Sequence, residues 1–325
     1  MPLYDPYGRH INYLRISVTD RCNLYCCYCL PRKNIKKLPH HEILRYEEIV
    51  HLVRIMAEMG IEKVRITGGE PLIRKNIIYL IKRLKKISNI KKICMTTNGT
   101  LLKEMATEIY QAGLRHINIS LDTLNPKKYA YITKVNAFSH VWTGIMKALE
   151  IGFSPVKINI VLLRGINDDE ILDFAKLTLN YPLHIRFIEL MPLVYTYIDF
   201  NQAFISINEV KKILEKLGNL ERIPSSNLDG PAQRFKLKGG IGEIGFIGAL
   251  TQHFCNKCNR LRLTSDGKLR PCLFSNIEWD LKTPLRQGKD DNILKTIIKE
   301  AIIHKPKWHS YNKFNIHYPM VYIGG

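Results

Sequence analysis

Between residues 12 and 190 two hydrophobic periods alternate along the chain. Short segments rich in β-branched residues and bounded by turn residues are followed by longer ones whose apolar positions recur every three or four residues. The first kind predicts strands at 12–18 (NYLRISV), 62–67 (EKVRIT), 91–97 (KKICMTT), 115–121 (RHINISL), 156–162 (VKINIVL) and 184–190 (HIRFIEL). The second kind predicts helices. In 46–60 the apolar residues at 49, 52, 53 and 56 share one face, and Gly60 closes the segment. Segments 76–87, 100–113, 141–152 and 168–179 follow the same pattern. Alternating βα units predict parallel strands with right-handed crossovers, and six units are two short of a full eightfold barrel.

Beyond 190 the texture changes. A helix is expected at about 206–217, and the polar stretch NLERIPSSNLDGPAQ (219–233) marks the boundary between a unit at 1–218 and another at 219–325. RFKLKGGIGEIGFIGAL reads as glycine-broken, antiparallel strands, and a last helix at about 291–304 is stopped by Lys-Pro.

In parallel α/β folds the sites gather at the carboxyl ends of the strands. All six ends here carry unusual residues: RCNLYCCYCL (21–30) after the first, GGEP (68–71) after the second, TTNG (96–99) on the third and SLD (120–122) on the fourth. The fifth carries Lys157 and Asn159, and the sixth Arg186, Glu189 and Met191. Gly68-Gly69 alone reads as a tight turn. The six ends together describe one polar-lined face.

The chain has 325 residues, 46% hydrophobic and 24% charged, in the range of globular proteins. No apolar run reaches the ~18 residues of a membrane span, and MPLYDPYGRH reads as neither a secretory signal nor a transit peptide, so a cytoplasmic protein is expected. In that compartment clustered cysteines are metal or redox ligands, not disulfides. Cys22, Cys26 and Cys29 form C-x3-C-x2-C with Cys27 inserted, and Cys255, Cys258 and Cys272 form C-x2-C-x13-C. A structural zinc wants four closed ligands, for which His40, His41 or His253 could complete a set. Three cysteines holding a [4Fe–4S] cubane leave one iron free to bind something else. Cys94 stands alone and reads as a small buried hydrophobe. The net charge of +20 favours an anionic partner, nucleic acid, a nucleotide or another polyphosphate, although 81–92 (IKRLKKISNIKK) reads as a solvated helix face running into a turn. Arg260 and Arg262, two apart on an extended segment, point to one side and suit a phosphate or an oxygen-bearing base. No G-x4-G-K-[ST] loop occurs.

CNLYCCYC resembles the cluster motif of radical S-adenosylmethionine (SAM) enzymes, with Tyr28 before the last cysteine, and GGEP resembles their SAM-amino-group motif. From about residue 8 to 325 the chain is more specifically similar to the GTP 3′,8-cyclases of molybdenum cofactor biosynthesis. The matching segments include GRHINYLRISVTDRCNLYCCYCLP, KVRITGGEPLIR, TTNG, NISLD, VKINIV, IRFIELM, GPAQRFKL, GFIGALTQHFCNKCNRLRLTSDGKLRPCLF, KPKWH and the terminal GG. The resemblance implies an α/β partial (β/α)6 TIM-like barrel with a C-terminal segment of antiparallel strands and helices carrying a second cluster. It implies that Cys22, Cys26 and Cys29 hold a [4Fe–4S] cluster that chelates SAM, with Tyr28, Gly69, Glu70, Ser120 and Met191 around SAM. Cys255, Cys258 and Cys272 would hold a second [4Fe–4S] cluster facing guanine. Arg15, Lys63, Arg65, Thr96, Lys157, Arg186, Arg260, Leu261 and Arg262 would bind GTP, and Arg260, Arg262, Gly324 and Gly325 would assist catalysis. The implied reaction uses the 5′-deoxyadenosyl radical to take hydrogen from C3′ of GTP, and C3′ then joins C8. The implied partners are a flavodoxin- or ferredoxin-like reductant and, downstream, cyclic pyranopterin monophosphate synthase. Nucleic acid and membrane are not expected, and a homodimer is left open. Two other readings compete: a twin-cluster radical SAM enzyme acting on a peptide, and a zinc-stabilised nucleic-acid-binding protein.

Overall fold

In the computed structural model, residues 3–29, 37–192, 197–224, 228–308 and 320–324 are described; Gly325 lies outside them. The strands are β1 (Tyr13–Ser17), β2 (Lys63–Thr67), β3 (Lys92–Thr97), β4 (His116–Ser120), β5 (Val156–Val161), β6 (Leu183–Ile188), β7 (Leu220–Ile223), β8 (Gln233–Leu237), β9 (Glu243–Ile247), β10 (Arg260–Leu263), β11 (Lys268–Arg270) and β12 (Trp279–Asp280). The helices are α1 (Tyr46–Met59), α2 (Ile77–Lys85), α3 (Leu102–Gln111), α4 (Pro126–Thr133), α5 (Phe138–Ile151), α6 (Ile171–Asn180), α7 (Phe200–Ala203), α8 (Ile207–Leu214), α9 (Lys282–Arg286), α10 (Asp291–Ile303) and α11 (Met320–Ile323).

The six expected strands pair in chain order, all parallel, and their sheet does not close on itself, as a partial barrel requires. Helix α1 buries Ile49, Leu52, Val53 and Met56, the face its period predicts, and Gly60 ends it with φ 121°. At α8 Ser206 and Glu209 form a reciprocal capping box.

The residues beyond 218 do not build a separate sheet. β10 pairs parallel with β1, and β9 pairs parallel with β6, so the C-terminal segment extends both edges of the six-stranded core into one twelve-stranded sheet. The outer additions, β7–β8–β9 and β10–β11–β12, are antiparallel, and the glycine-broken pattern predicts the β8–β9 pair among them. The polar stretch expected to be a linker contains β7 at its start, with Leu220 paired to Leu237. The open edges thereby pass from the long core strands to the short strands β7 and β12, which offer few unpaired backbone groups to another chain.

Candidate active site

Strand alternation sends residues 13 and 15 of β1, 63 and 65 of β2, and 260 and 262 of β10 to one face. The register makes these into rows: Arg262, Arg15 and Arg65 lie abreast across three strands, and Arg260, Tyr13 and Lys63 form the row before them. Further round, Thr96 pairs with Asn118, which pairs with Lys157, and Asn159 pairs with Arg186. All of these side chains line one cavity of about 330 Å³. Like charges opposite one another on a sheet are destabilising by roughly 0.2–1 kcal/mol per pair, so a row of three arginines is a liability for the fold alone. Seven basic side chains (Arg15, Lys63, Arg65, Lys157, Arg186, Arg260 and Arg262) face the cavity, against the carboxylates Asp122 and Glu189 among the described lining residues. Such a wall suits a polyanion.

The crowding shows in the ionisation of the wall. Burial lowers Lys157 to about 6, with Arg186 and Arg65 adding to it. Burial, then Arg15 and Arg260, press Arg262 well below its ordinary value. Burial alone would raise the Tyr13 phenol, but Arg65, Arg15 and Lys63 outweigh it and bring it down to about 7. Arg65 Nε donates to the Tyr13 hydroxyl at 2.6 Å, and its Nη1 donates to the Met95 carbonyl and to Thr96 Oγ1.

The first cysteine triad, Cys22, Cys26 and Cys29, lines the same cavity with Tyr28, Gly69, Ser120 and Met191. Its loop is pinned from two sides. Gly69 N donates to Thr19 O and Glu70 N to Arg21 O, and a Cβ on Gly69 would stand 2.1 Å from Arg21 O. The glycine pair is therefore the condition for laying the GGEP loop against the cysteine loop. On the other side Tyr25 N and Cys27 N donate to the carbonyls of Thr133 and Ile132 at the end of α4. The inserted Cys27 is buried and packs with Ile132, Leu163, Leu190 and Ala203, which makes it an anchor for the loop. Tyr28 donates to Asp122 Oδ2 at 2.6 Å, and Asp122 Oδ1 accepts from Val161 N.

Burial pushes the thiols of this triad up, Cys22 to about 11, Cys29 to about 12 and Cys26 well above its ordinary value. They become thiolates once a cationic centre offsets that cost. Cys22 Sγ also accepts from Leu24 N at 3.4 Å and Asn98 Nδ2 at 3.8 Å, contacts of the kind that tune iron–sulfur centres. This donor set fits a cluster open toward the cavity that Tyr28, Ser120 and Met191 also line.

The second triad, Cys255, Cys258 and Cys272, lines the same cavity, as do its chain neighbours Phe254, Leu273 and Phe274. Burial is here outweighed by Arg260 and Lys305, which bring Cys258 down to about 6. The donors fit a second cluster. Among the described residues no three His, Cys, Asp or Glu side chains converge closely enough to hold a single metal ion. Arg262 Nη1 donates to the carbonyl of Gly324, whose φ of +74° and closeness to Thr67 suit glycine, and α11 brings Met320 and Val321 to the cavity.

Two expected site residues sit elsewhere. Glu70 is fully buried behind the wall. Its carboxylate accepts from Thr97 Oγ1, Asn98 N and Leu72 N, so it ties the β2 loop to the end of β3 while burial raises it to about 7. Leu261 points away into the core. Cys94 is buried as expected. Tyr13 and Asp122 were not singled out for the site from sequence, though Tyr13 lies two residues before Arg15, hence on its face.

The sequence profile of the radical SAM superfamily matches residues 16–178, and that of Molybdenum Cofactor Synthesis C matches 183–311. The chain is 48% identical over 308 residues to a GTP 3′,8-cyclase of Heliobacterium modesticaldum, covering 94% of each chain. It is 47% identical over 324 residues to that of Moorella thermoacetica, covering 99% of this chain and 100% of the relative. A third, from Desulforamulus reducens, is 50% identical over 308 residues, covering 94% of this chain and 95% of the relative. Among solved structures, Streptococcus suis SuiB bound to S-adenosylmethionine superposes with a TM-score of 0.64 at 17% identity, covering 90% of this chain and 69% of that one. At that identity the likeness concerns the fold.

Proposed function

The chain belongs to the GTP 3′,8-cyclase family of radical SAM enzymes, and from that premise we propose that its cavity converts GTP to (8S)-3′,8-cyclo-7,8-dihydroguanosine 5′-triphosphate, the first step of molybdenum cofactor biosynthesis. The observation that carries this reading is the Arg262–Arg15–Arg65 row, joined by Lys157 and Arg186, lining one cavity together with two cysteine triads. When bound, the clusters and SAM supply one-electron and carbon-radical chemistry, which protein side chains cannot.

The side chains position and enclose. Arg15, Arg65, Lys157 and Arg186 clamp the triphosphate as fixed donors, taking the place of a P-loop. Thr96 and Asn118 lie between them and offer uncharged hydrogen-bonding groups to the same ligand. Tyr28, fastened by Asp122, and Ser120 and Met191 bracket SAM at the first triad. Leu24, Val161, Ile188 and Phe254 supply apolar wall, which keeps water from a reactive carbon centre held against its target. Arg260, beside Cys258 and over the Phe254 ring at 4.8 Å, and Arg262 bound to Gly324, close the guanine end.

Among the described residues no helix is long and apolar enough to cross a membrane. A reducing, cytoplasmic setting suits thiolate-held clusters. A flavodoxin- or ferredoxin-like protein is our choice of electron donor, and cyclic pyranopterin monophosphate synthase of the enzyme that takes the product. The test is anaerobic: reconstitute with iron and sulfide, add dithionite and SAM, and assay 5′-deoxyadenosine and nucleotides with and without GTP. Deoxyadenosine matched by a cyclised GTP species is expected. Deoxyadenosine with GTP returned unchanged would move the substrate elsewhere, and a protein that cleaves no SAM would end the enzyme reading.

A further inference from the structure

Two sequence segments, GRHI at 8–11 and KPKWH at 305–309, have no part in the site so far, yet the structure brings one basic residue of each, Arg9 and Lys305, to the second triad. Lys305 is 2% exposed, an environment lysine occupies only when its charge is answered. Its Nζ donates to the carbonyl of Arg260 at 2.8 Å, to the carbonyl of Pro271 at 2.6 Å, and to Cys258 Sγ at 3.7 Å. Three acceptors around one amine match the three N–H bonds of an ammonium. Its acceptors bridge the two arms of the triad: Arg260 follows Cys258 by two residues, and Pro271 immediately precedes Cys272.

Arg9 holds the third arm. Its Nη1 donates to the carbonyl of Cys255 at 2.7 Å and its Nη2 to the carbonyl of Pro306 at 2.8 Å, while Asp5 anchors its Nε at 2.5 Å. The N-terminal segment and the end of α10 are thereby fastened to each other and to all three cysteine arms. Arg9 meets the triad only through backbone, whereas Lys305 directs an N–H at a triad sulfur.

We propose that Lys305 is the positioning and charge-setting residue of the second cluster: it clasps the Cys258 and Cys272 arms in ligating register and holds a fixed positive charge against the Cys258 sulfur. The proposal rests on the twin-cluster reading above. A buried cation touching a ligand sulfur favours the reduced, more negative cluster, and so raises its reduction potential. Arg9 is the purely structural half of the clasp.

The experiment compares the reconstituted full-length enzyme with Lys305→Arg, Lys305→Gln and Lys305→Met. Iron and sulfide content are measured, together with an EPR-monitored redox titration in which added GTP marks the second cluster by changing its signal. Lys305→Arg should keep full iron and the parent potential. Lys305→Gln should keep the second cluster at a lower potential while the SAM-binding cluster stays where it was. If Lys305→Met sheds the second cluster alone, and arginine at the same position retains it, the clasp is supported. An unchanged potential in the glutamine or methionine variant overturns the proposal, as does an equal shift of both clusters, or arginine and methionine losing iron alike. A parent enzyme that loads only one cluster would instead refute the twin-cluster reading on which the proposal stands.

Discussion

Lys157 and Tyr13 are the two groups of the cationic wall whose ionisation falls near neutrality, at about 6 and about 7. The charges facing Lys157 come from Arg186, Arg65 and Lys92, with Asp229 opposing, and those facing Tyr13 from Arg65, Arg15 and Lys63, with Cys94 opposing. Above pH 7 the empty wall therefore holds a neutral amine and a partly ionised phenol, both poor hosts for a triphosphate. GTP favours the protonated form of each, so its binding takes up protons, and affinity should rise as pH falls from about 8 toward 6, by at most roughly tenfold per pH unit for each group while it titrates. Equilibrium dialysis under anaerobic conditions measures this. Lys157→Arg, with its permanent charge, should flatten the slope relative to the parent, and identical slopes would contradict the account. Gly69 gives a second expectation. Its Cβ would meet Arg21 O at 2.1 Å, so Gly69→Ala should displace the cysteine loop, cost about 1–3 kcal/mol or more, and lose iron from the first triad while the second stays loaded. Iron analysis and thermal melts check both parts. At this scale the six cysteines and the basic residues were legible because metal spacing and period-two alternation are carried by residue type. Tyr13 was not, since an aromatic on a strand reads as core until the register shows Arg65 donating to its hydroxyl. Glu70 shows the converse: a carboxylate at a strand end reads as a ligand, while in the fold its oxygens accept from Thr97, Asn98 and Leu72.

Helix α4 was not expected from the sequence, yet it positions the first triad. Its signal is a side-chain cap from Asn125 with Pro126 at the first turn, but eight residues with three buried positions give a weak period, and Asn-Pro reads equally as a turn. Its last carbonyls hold Tyr25 N and Cys27 N, which also gives the fourth clustered cysteine its place. Strand β10 shows how two arginines in one short element divide their work. Arg262 reaches the Gly324 carbonyl, and Arg260 touches Cys258. Arg262→Ala should keep full iron and weaken GTP binding by about 1.5–3 kcal/mol, roughly ten- to hundredfold. Arg260→Ala should in addition disturb the second triad, seen as altered iron content or EPR signal. Equal loss of iron in both variants would show that neither arginine serves the nucleotide separately.

The whole molecule is one sheet finished at both edges by its own C-terminal third. The βα alternation predicted the six parallel strands, because that pattern is local. The parallel pairings β1–β10 and β6–β9 join residues far apart in sequence, and no local pattern encodes them. The expectation of units at 1–218 and 219–325 has a consequence in this topology: residues 1–218 alone would expose both sheet edges and leave Leu14, Ile16, Ile185 and Phe187 without the C-terminal side chains they pack among. That fragment should aggregate or be cleaved rapidly in limited proteolysis, and a stable, cooperatively melting fragment would contradict this topology. The central claim is that the cavity sets C3′ of GTP against the radical generated at the first triad. It is tested most directly with GTP carrying deuterium at C3′, incubated anaerobically with the reconstituted enzyme, SAM and dithionite. The account predicts deuterium in the 5′-deoxyadenosine and its absence from the cyclised nucleotide. Unlabelled 5′-deoxyadenosine with the deuterium still on the nucleotide would contradict it.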